Sequence, residues 1–264
     1  FLYISHYALH VRNMSLKSTR RKYLDIVAER AGIKEKIPDI SRFDANADEM
    51  PPKLRNHWEK ANYAAMMENM DTSIGMVLDK LLELGLEENT YVIFSSDNGG
   101  SIPHAATNDP WRGGKQDHWE GGIRVPTCAV WPGKIPVTQT DELGITMDLF
   151  PTYAEIAGIE VKNKIEGKSL APIWLDGKKG DPNRTLIWVR REGNFRYQGR
   201  AYYAIREGDW KLLQNHPFEP MQLVNLKEDP AEQNPKPGNH PMARKLISKL
   251  MLHLQKSGDM PWQK

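Results

Sequence analysis

Thr90-Tyr91-Val92-Ile93-Phe94-Ser95-Ser96 runs directly into Asp97-Asn98-Gly99-Gly100. The first seven residues are β-prone and show no polar alternation, the pattern of a strand buried on both faces by helices. Upstream, Pro51-Pro52 opens a long helix on which Ile74, Val77, Leu78 and Leu81 share one face, and Gly85 stands where a C′ glycine would end it. A helix feeding a buried strand is the α/β signature. Downstream, Thr127-Cys128-Ala129-Val130-Trp131 reads as a short strand closed by Pro132-Gly133, and residues 146–157 as a helix ended by Gly158.

The flanks extend this pattern. Phe1-Leu2-Tyr3-Ile4-Ser5 is an apolar, β-prone run that reads as a buried strand. A buried strand with nothing ahead of it implies a chain cut from something longer. The basic run Lys17 to Lys22 is a solvated loop and helix start, residues 21–31 form a short helix stopped by Gly32, and residues 33–50 form a loop. Past residue 184 the pattern changes. Leu186–Arg190, Ala201–Arg206, Trp210–Gln214 and Met221–Leu226 are short strands, with a hairpin turn at Glu207-Gly208-Asp209. Pro241 starts a last helix carrying Leu246, Ile247, Leu250, Met251 and Leu254 on one side. Residues 1–183 therefore read as part of an α/β domain, and 184–264 as a small antiparallel sheet with one covering helix.

Composition narrows the function classes. In 264 residues, 36 basic and 34 acidic side chains give a net +2, too balanced to indicate nucleic-acid binding. The single cysteine, Cys128, excludes an internal disulfide and any cysteine-based zinc site; it reads as a small buried strand residue. No apolar run approaches the roughly 18 residues that span a bilayer.

In open α/β sheets ligands gather at the carboxyl ends of strands, which draws attention to Asp97 and Asn98. A carboxylate beside an amide oxygen suits a hard cation such as Ca²⁺ or Mg²⁺; the same residues are also ordinary turn formers. In Arg112-Gly113-Gly114-Lys115, two glycines let the backbone approach a ligand and the lysine offers a point charge to an oxyanion, although a flexible basic loop would look alike. His10 follows the opening run and either sits at a strand's carboxyl end or is a surface residue. The loops 101–111 and 190–200 hold His104, Asn108, Trp111, Arg190, Arg191 and Arg196, residues that suit a polar or anionic sugar or a solvated surface. Together, a hard-cation pair, a lysine and a histidine in three strand-exit loops describe a site for an anionic group.

Ser96-Asp97-Asn98-Gly99-Gly100, then Trp111-Arg112-Gly113-Gly114-Lys115, then Trp119-Glu120-Gly121-Gly122-Ile123-Arg124-Val125-Pro126, resembles the type I sulfatases of the alkaline-phosphatase superfamily. Phe1 to His10, Asp148-Leu149-Phe150-Pro151-Thr152, Gly167-Lys168-Ser169-Leu170, Gly208-Asp209-Trp210-Lys211-Leu212 and Asn225-Leu226 with Asp229-Pro230 extend the resemblance in order along the chain. It implies an alkaline-phosphatase-like α/β fold, a mixed or parallel sheet sandwiched by helices, plus the small C-terminal antiparallel sheet. It also implies a sulfuric ester hydrolase acting on sulfated carbohydrate or aryl sulfate esters. Asp97 and Asn98 match calcium ligands, Lys115 the lysine that contacts the sulfate and leaving-group oxygens, and His10 the histidine that helps protonate the leaving oxygen. His104, Asn108 and Arg112 are candidate substrate contacts.

Three departures accompany the resemblance. The family's nucleophile is a formylglycine hydrate made from the Cys or Ser of a C/S-x-P-S-R motif, and Cys128 stands in Pro126-Thr127-Cys128-Ala129-Val130 instead. The family's early Asp-Asp pair, the other half of its calcium site, is absent. Leu9 and Val11-Arg12 replace the prolines usual around the histidine. The chain is thus expected to be the carboxy-terminal part of a sulfatase, inactive alone, with export to periplasm or medium as the family habit. One alternative is a phosphodiesterase or phosphonate hydrolase of the same superfamily, for which His104 and His118 are the candidate extra metal ligands. The other, if the natural chain starts at Phe1, is a non-catalytic sugar-binding protein whose tryptophans, Trp111 and Trp119 among them, stack on sugar rings.

Overall fold

A computed structural model describes residues 1–10, 14–37, 52–191 and 198–258. The chain divides into two compact units, Phe1–Glu87 with Gly99–Asp109, and Glu88–Asn98 with Pro110–Lys264. The boundary expected between residues 183 and 184 lies inside the second of them.

The first unit is built on a helix pair, α1 (Lys17–Arg30) and α2 (Pro52–Glu83). Leu24 and Ala28 of α1 pack against Leu54, Trp58 and Ala61 of α2, and Ile37 joins them. The face that α2 buries most deeply is thus its N-terminal half. On the stripe expected from periodicity, Leu78 is exposed and Ile74, Val77 and Leu81 are only half-buried. Both helices end as expected: Gly32 and Gly85 adopt φ of 63° and 64°, and Leu86 N donates to Leu81 O at 2.9 Å.

Phe1 to Ser5 forms no strand, and Phe1, Leu2, Tyr3 and Ile4 are exposed. High β-propensity supplies side chains that suit a pleated surface, but a strand also needs a neighbour's backbone. His10 consequently sits in a turn, its N donating to Tyr7 O at 2.9 Å, rather than at a strand end. Val11 and Arg12 lie outside the described residues.

In the second unit, β1 (Val92–Ser95) pairs antiparallel with β2 (Thr127–Val130), Ser95 opposite Thr127. Among the described residues this pair has no third strand, so β1 is half-buried rather than enclosed on both faces, and no parallel pairing is seen. The same openness leaves Cys128 exposed, against its expected burial.

Two short helices, α3 (Glu120–Ile123) and α4 (Leu149–Ile156), precede α5 (Ala171–Asp176). Asp148, fully buried at the start of α4, takes a two-pronged bond from the Arg184 guanidinium (2.7 and 2.5 Å) and backbone donors from Ile145 and Lys168. Thr152 Oγ1 donates to Asp148 O and accepts from Leu170 N. The segments Asp148–Thr152 and Gly167–Leu170 are therefore two halves of one buried polar joint.

The C-terminal sheet is a meander of β3 (Thr185–Arg191), β4 (Ala201–Glu207), β5 (Trp210–Leu213) and β6 (Gln222–Asn225), with α6 (Pro241–Gly258) on one face. Alternation sorts the side chains. Ile205, Leu212 and Leu223 pack under Ala243, Leu246 and Leu250 of α6. Ala204, Leu213 and Val224 face the other way, where Trp119 and Trp188 cover them. The second face of this sheet is thus roofed by the loop that enters α3, a cover that the sequence did not announce.

Candidate active site

Lys115 sits half-buried on the loop 111–119. That loop is closed on itself: Gly114 N donates to Asp117 Oδ2 (2.8 Å), Asp117 N to Gly114 O (2.9 Å), and Gly121 N to Arg112 O (2.8 Å). Gly121 and Gly122 pass so close to the carbonyls of Gly113, Gly114 and Asp117 that a Cβ at either would overlap backbone oxygen. The loop is also bolted to the sheet. Asn215 donates to Asp117 Oδ1 (2.9 Å) and accepts from His118 N (2.7 Å), while Tyr202 and Arg190 both donate to Gln116 O.

Beneath it lies a buried charge cluster. Lys211 Nζ is 2.9 Å from Glu120 Oε1 and 2.9 Å from Glu232 Oε1, and Glu120 N donates to Glu232 Oε2 at 2.6 Å. Burial raises the Glu232 pKa, opposed by the Lys211 charge. Arg112 lies flat on Trp119, 3.7 Å from its ring centroid, and donates to Glu232 O at 2.8 Å. The Lys211–Glu120–Glu232 cluster was not singled out from sequence, and Arg112 and Trp119 were singled out for other roles. The available signal was a lysine between Trp210 and Leu212 in a strand, where burial demands an anionic partner.

What the loop presents is the Lys115 ammonium, which has no hydrogen bond or ion pair among the described residues. Asp97 is exposed, and its carboxylate has no hydrogen bond or ion pair among the described residues; Ser96 Oγ donates to Asn98 O (3.0 Å) to shape the turn. Because Ser95 pairs with Thr127, and Ser96 N donates to Pro126 O, the turn bearing Asp97 and the segment following the Lys115 loop leave the same end of the β1–β2 pair.

The other candidates fall as follows. His10 is exposed, with its ring centroid 5.4 Å from that of Tyr7. His104 is half-buried in a single 3₁₀ turn, Ile102–His104. Asn108 accepts from Gly100 N (2.8 Å) and donates to Gly100 O (2.9 Å), so both ends of its amide clamp the glycine. Arg112 is taken up by Trp119 and Glu232, and Trp119 itself is core. His10, His104 and Asn108 belong to the first unit; Asp97, Asn98, Arg112 and Lys115 belong to the second. Arg191 donates to Gly199 O, and Arg196 lies outside the described residues.

For a metal, Asp97 and Asn98 offer oxygen donors of the right kind for a hard cation, but fewer than the six to eight that Ca²⁺ takes. No group of three His, Cys, Asp or Glu suited to a metal exists among the described residues. Among the described residues His118 belongs to no such group. It is buried against Tyr202, and its Nδ1 is 3.1 Å from Gln214 O, a carbonyl that requires the nitrogen to donate. Burial, reinforced by the charges of Lys211 and Arg190, pushes its pKa down to about 4. Among the described residues no helix is long and apolar enough to cross a membrane.

Comparison with known proteins follows the same segments. The family model described as Sulfatase matches residues 17–159, more than half of the chain, and one described as N-sulphoglucosamine sulphohydrolase, C-terminal, matches 114–259. The chain is 35% identical over 160 residues to N-acetylgalactosamine-6-sulfatase of Canis lupus familiaris, covering 58% of this chain and 29% of that protein. It is 32% identical over 245 residues to a sulfatase of Formosa agariphila, covering 83% of this chain and 44% of that one. The solved structure of Ps i-CgsB in complex with k-i-k-neocarrahexaose superposes with a TM-score of 0.68 at 24% identity, over 89% of this chain and 53% of that one. The chain spans less than half the length of these two curated relatives. On this evidence the chain belongs to the sulfatase family and has its α/β, alkaline-phosphatase-like fold.

Proposed function

We propose that this chain carries the anion-holding part of a sulfuric ester hydrolase that acts on sulfated carbohydrate or aryl sulfate esters. The observation that carries the reading is Lys115: an ammonium without a partner among the described residues, on an internally bonded, glycine-tight loop that leads to the strand end beside Asp97. In this reading residues 1–183 belong to the catalytic α/β domain and 184–264 form its small C-terminal subdomain.

Lys115 binds a sulfate oxygen and the leaving-group oxygen as a point charge, without the forked geometry of arginine. His10 holds the proton that passes to the departing alcohol oxygen. Asp97 and Asn98 would supply two of the oxygen donors for Ca²⁺, fewer than its full set. When bound, that cation neutralises charge on the sulfate oxygens. Of the three substrate-contact candidates, His104 is the one whose side chain is not already engaged among the described residues; Asn108 and Arg112 act by shaping the loops. A carbohydrate is favoured because one relative is named for N-acetylgalactosamine-6-sulfate and one structural neighbour holds neocarrahexaose. Sulfate-ester chemistry is favoured over phosphate-ester chemistry because the curated relatives are named as sulfatases. Export to the periplasm or medium follows the family habit.

The 264 residues contain no C/S-x-P-S-R motif, so the chain alone is expected to release no sulfate. Sulfate release from sulfated sugars and aryl sulfates is to be measured with this chain and with an upstream-extended protein that carries the motif. Robust turnover by the short chain overturns the proposal. In the extended protein Lys115→Ala is expected to cut the rate by roughly 10²-fold or more; an unchanged rate removes Lys115 from the mechanism.

A further inference from the structure

A cavity of about 380 Å³ opens in the second unit, and Lys115 is not among the residues that line it. Its inner wall is Trp111, Leu226 and the buried Glu120 with Arg206. Its rim is Arg124, Asp141, Asp209 and Lys227, all exposed. These four come from four separate places: the end of α3, the loop before α4, the β4–β5 turn and the turn after β6. None of them forms an ion pair among the described residues, although opposite charges line one small space. Arg124 lies over the Trp111 ring, 4.1 Å from its centroid.

The lining carries three carboxylates, Glu120, Asp141 and Asp209, against three cations, Arg124, Arg206 and Lys227. That balance leaves no excess field to select an anion or a cation. What it offers is both acceptors and donors, together with Trp111, Leu226 and Pro230. A ligand that is uncharged, carries hydroxyls that both donate and accept, and has an apolar C–H face satisfies every wall at once. The volume lies at the lower end of the roughly 300–1,000 Å³ range of small-ligand sites.

We propose that this cleft binds one neutral hexose ring of a carbohydrate chain, at a place separate from the sulfate-holding lysine. Asp141 and Asp209 accept from ring hydroxyls, Arg124 and Lys227 donate to them, and the C–H face rests on Trp111 and Leu226. The inference does not depend on sulfatase activity: it stands for the chain as it is.

The test is ligand-detected NMR on the whole chain with N-acetyl-D-galactosamine, methyl β-D-galactoside and methyl α-D-glucoside, with sodium sulfate as the ionic comparator. At least one sugar is expected to bind saturably with a roughly millimolar Kd. Asp209→Asn, which keeps a turn-forming residue, and Lys227→Met are each expected to weaken that binding by roughly tenfold, while Lys115→Ala leaves it unchanged. Loss of binding in Lys115→Ala would move the sugar to the sulfate site and overturn the proposal. Binding of no sugar, or sugar binding indifferent to both rim substitutions, overturns it equally. Failure of these results leaves the sulfate-release experiment untouched, so the two readings fall separately.

Discussion

Lys211 Nζ lies 2.9 Å from Glu120 Oε1, across 91 residues of sequence and fully inside the protein. The contact ties the C-terminal sheet to the loop that presents Lys115. With Glu232 on its other side, one ammonium compensates two carboxylates, and Arg206, 3.6 Å from Glu120, adds a second positive charge. Lys211→Met fits the space but leaves both carboxylates buried without it. Its expected cost is about 3–5 kcal/mol, the range seen when one partner of a buried ion pair is removed. Urea unfolding of the chain measures this. The cost is expected to shrink in acid, because protonation removes the stranded charge; a penalty independent of pH would mean that packing, not charge, is what Lys211 supplies.

Gly122 and Gly75 make opposite predictions for the same substitution. A Cβ at Gly122 would overlap the carbonyls of Asp117 and Gly114, so Gly122→Ala must spring the Lys115 loop open, at about 1–3 kcal/mol or more. Gly75 lies within α2 with open space around its Cβ position, so Gly75→Ala is expected to stabilise by about 0.5–1 kcal/mol. Thermal unfolding of both variants distinguishes a glycine required by close approach from one that is not.

The unequal legibility of the sequence has the same physical root. The strands β3 to β6 were readable within about a residue because alternation and the Gly208-Asp209 turn are local signals, and Glu207 does pair with Trp210 across that turn. The helix ends at Gly32, Gly85 and Gly158 were readable for the same reason. The roof over the sheet was not. Loop 111–119 has no period, and its bonds and those of the adjoining Glu120 reach Asn215, Lys211 and Glu232, roughly a hundred residues away, which no local pattern encodes. Helix α2 misled differently: its buried face is Leu54, Trp58, Ala61 and Ala65, and small alanines give a weak apolar signal beside Ile74 and Leu78. The sequence singles out Lys115 and Asp97 as candidates, but it does not announce the local bonds that engage Asn108 and Arg112. Their functional-looking side chains are consumed by Gly100 and by Trp119 with Glu232.

The joint between Asp148 and Arg184 predicts that a lysine cannot replace the arginine. The guanidinium meets both carboxylate oxygens at once, at 2.7 and 2.5 Å, in a site where Asp148 is fully buried. Lysine offers a single point charge and no fork. Arg184→Lys is expected to lose part of the pairing, and Arg184→Met to cost about 3–5 kcal/mol by stranding the carboxylate. Denaturant midpoints in the order wild type, Arg184→Lys, Arg184→Met are the expected result; equal midpoints for wild type and Arg184→Lys would show that charge alone suffices.

His118 sets a pH limit. Its ring is held neutral because burial and the neighbouring cations Lys211 and Arg190 push its pKa to about 4, below the ordinary value of 6.5. Between these two values the unfolded chain takes up a proton that the folded one refuses, so stability rises with pH across that window. Read downward, the stability contributed by the neutral ring is intact above about pH 6.5, declines as pH falls, and is fully lost near pH 4. At 1.36 kcal/mol per pKa unit the span is about 3 kcal/mol. His118→Gln removes the titration while keeping a side chain able to donate to Gln214 O. Urea midpoints at pH 7, 5.5 and 4.5 are expected to fall more steeply for the wild type than for this variant. Parallel declines would assign the acid sensitivity to carboxylates elsewhere in the chain and not to the buried imidazole.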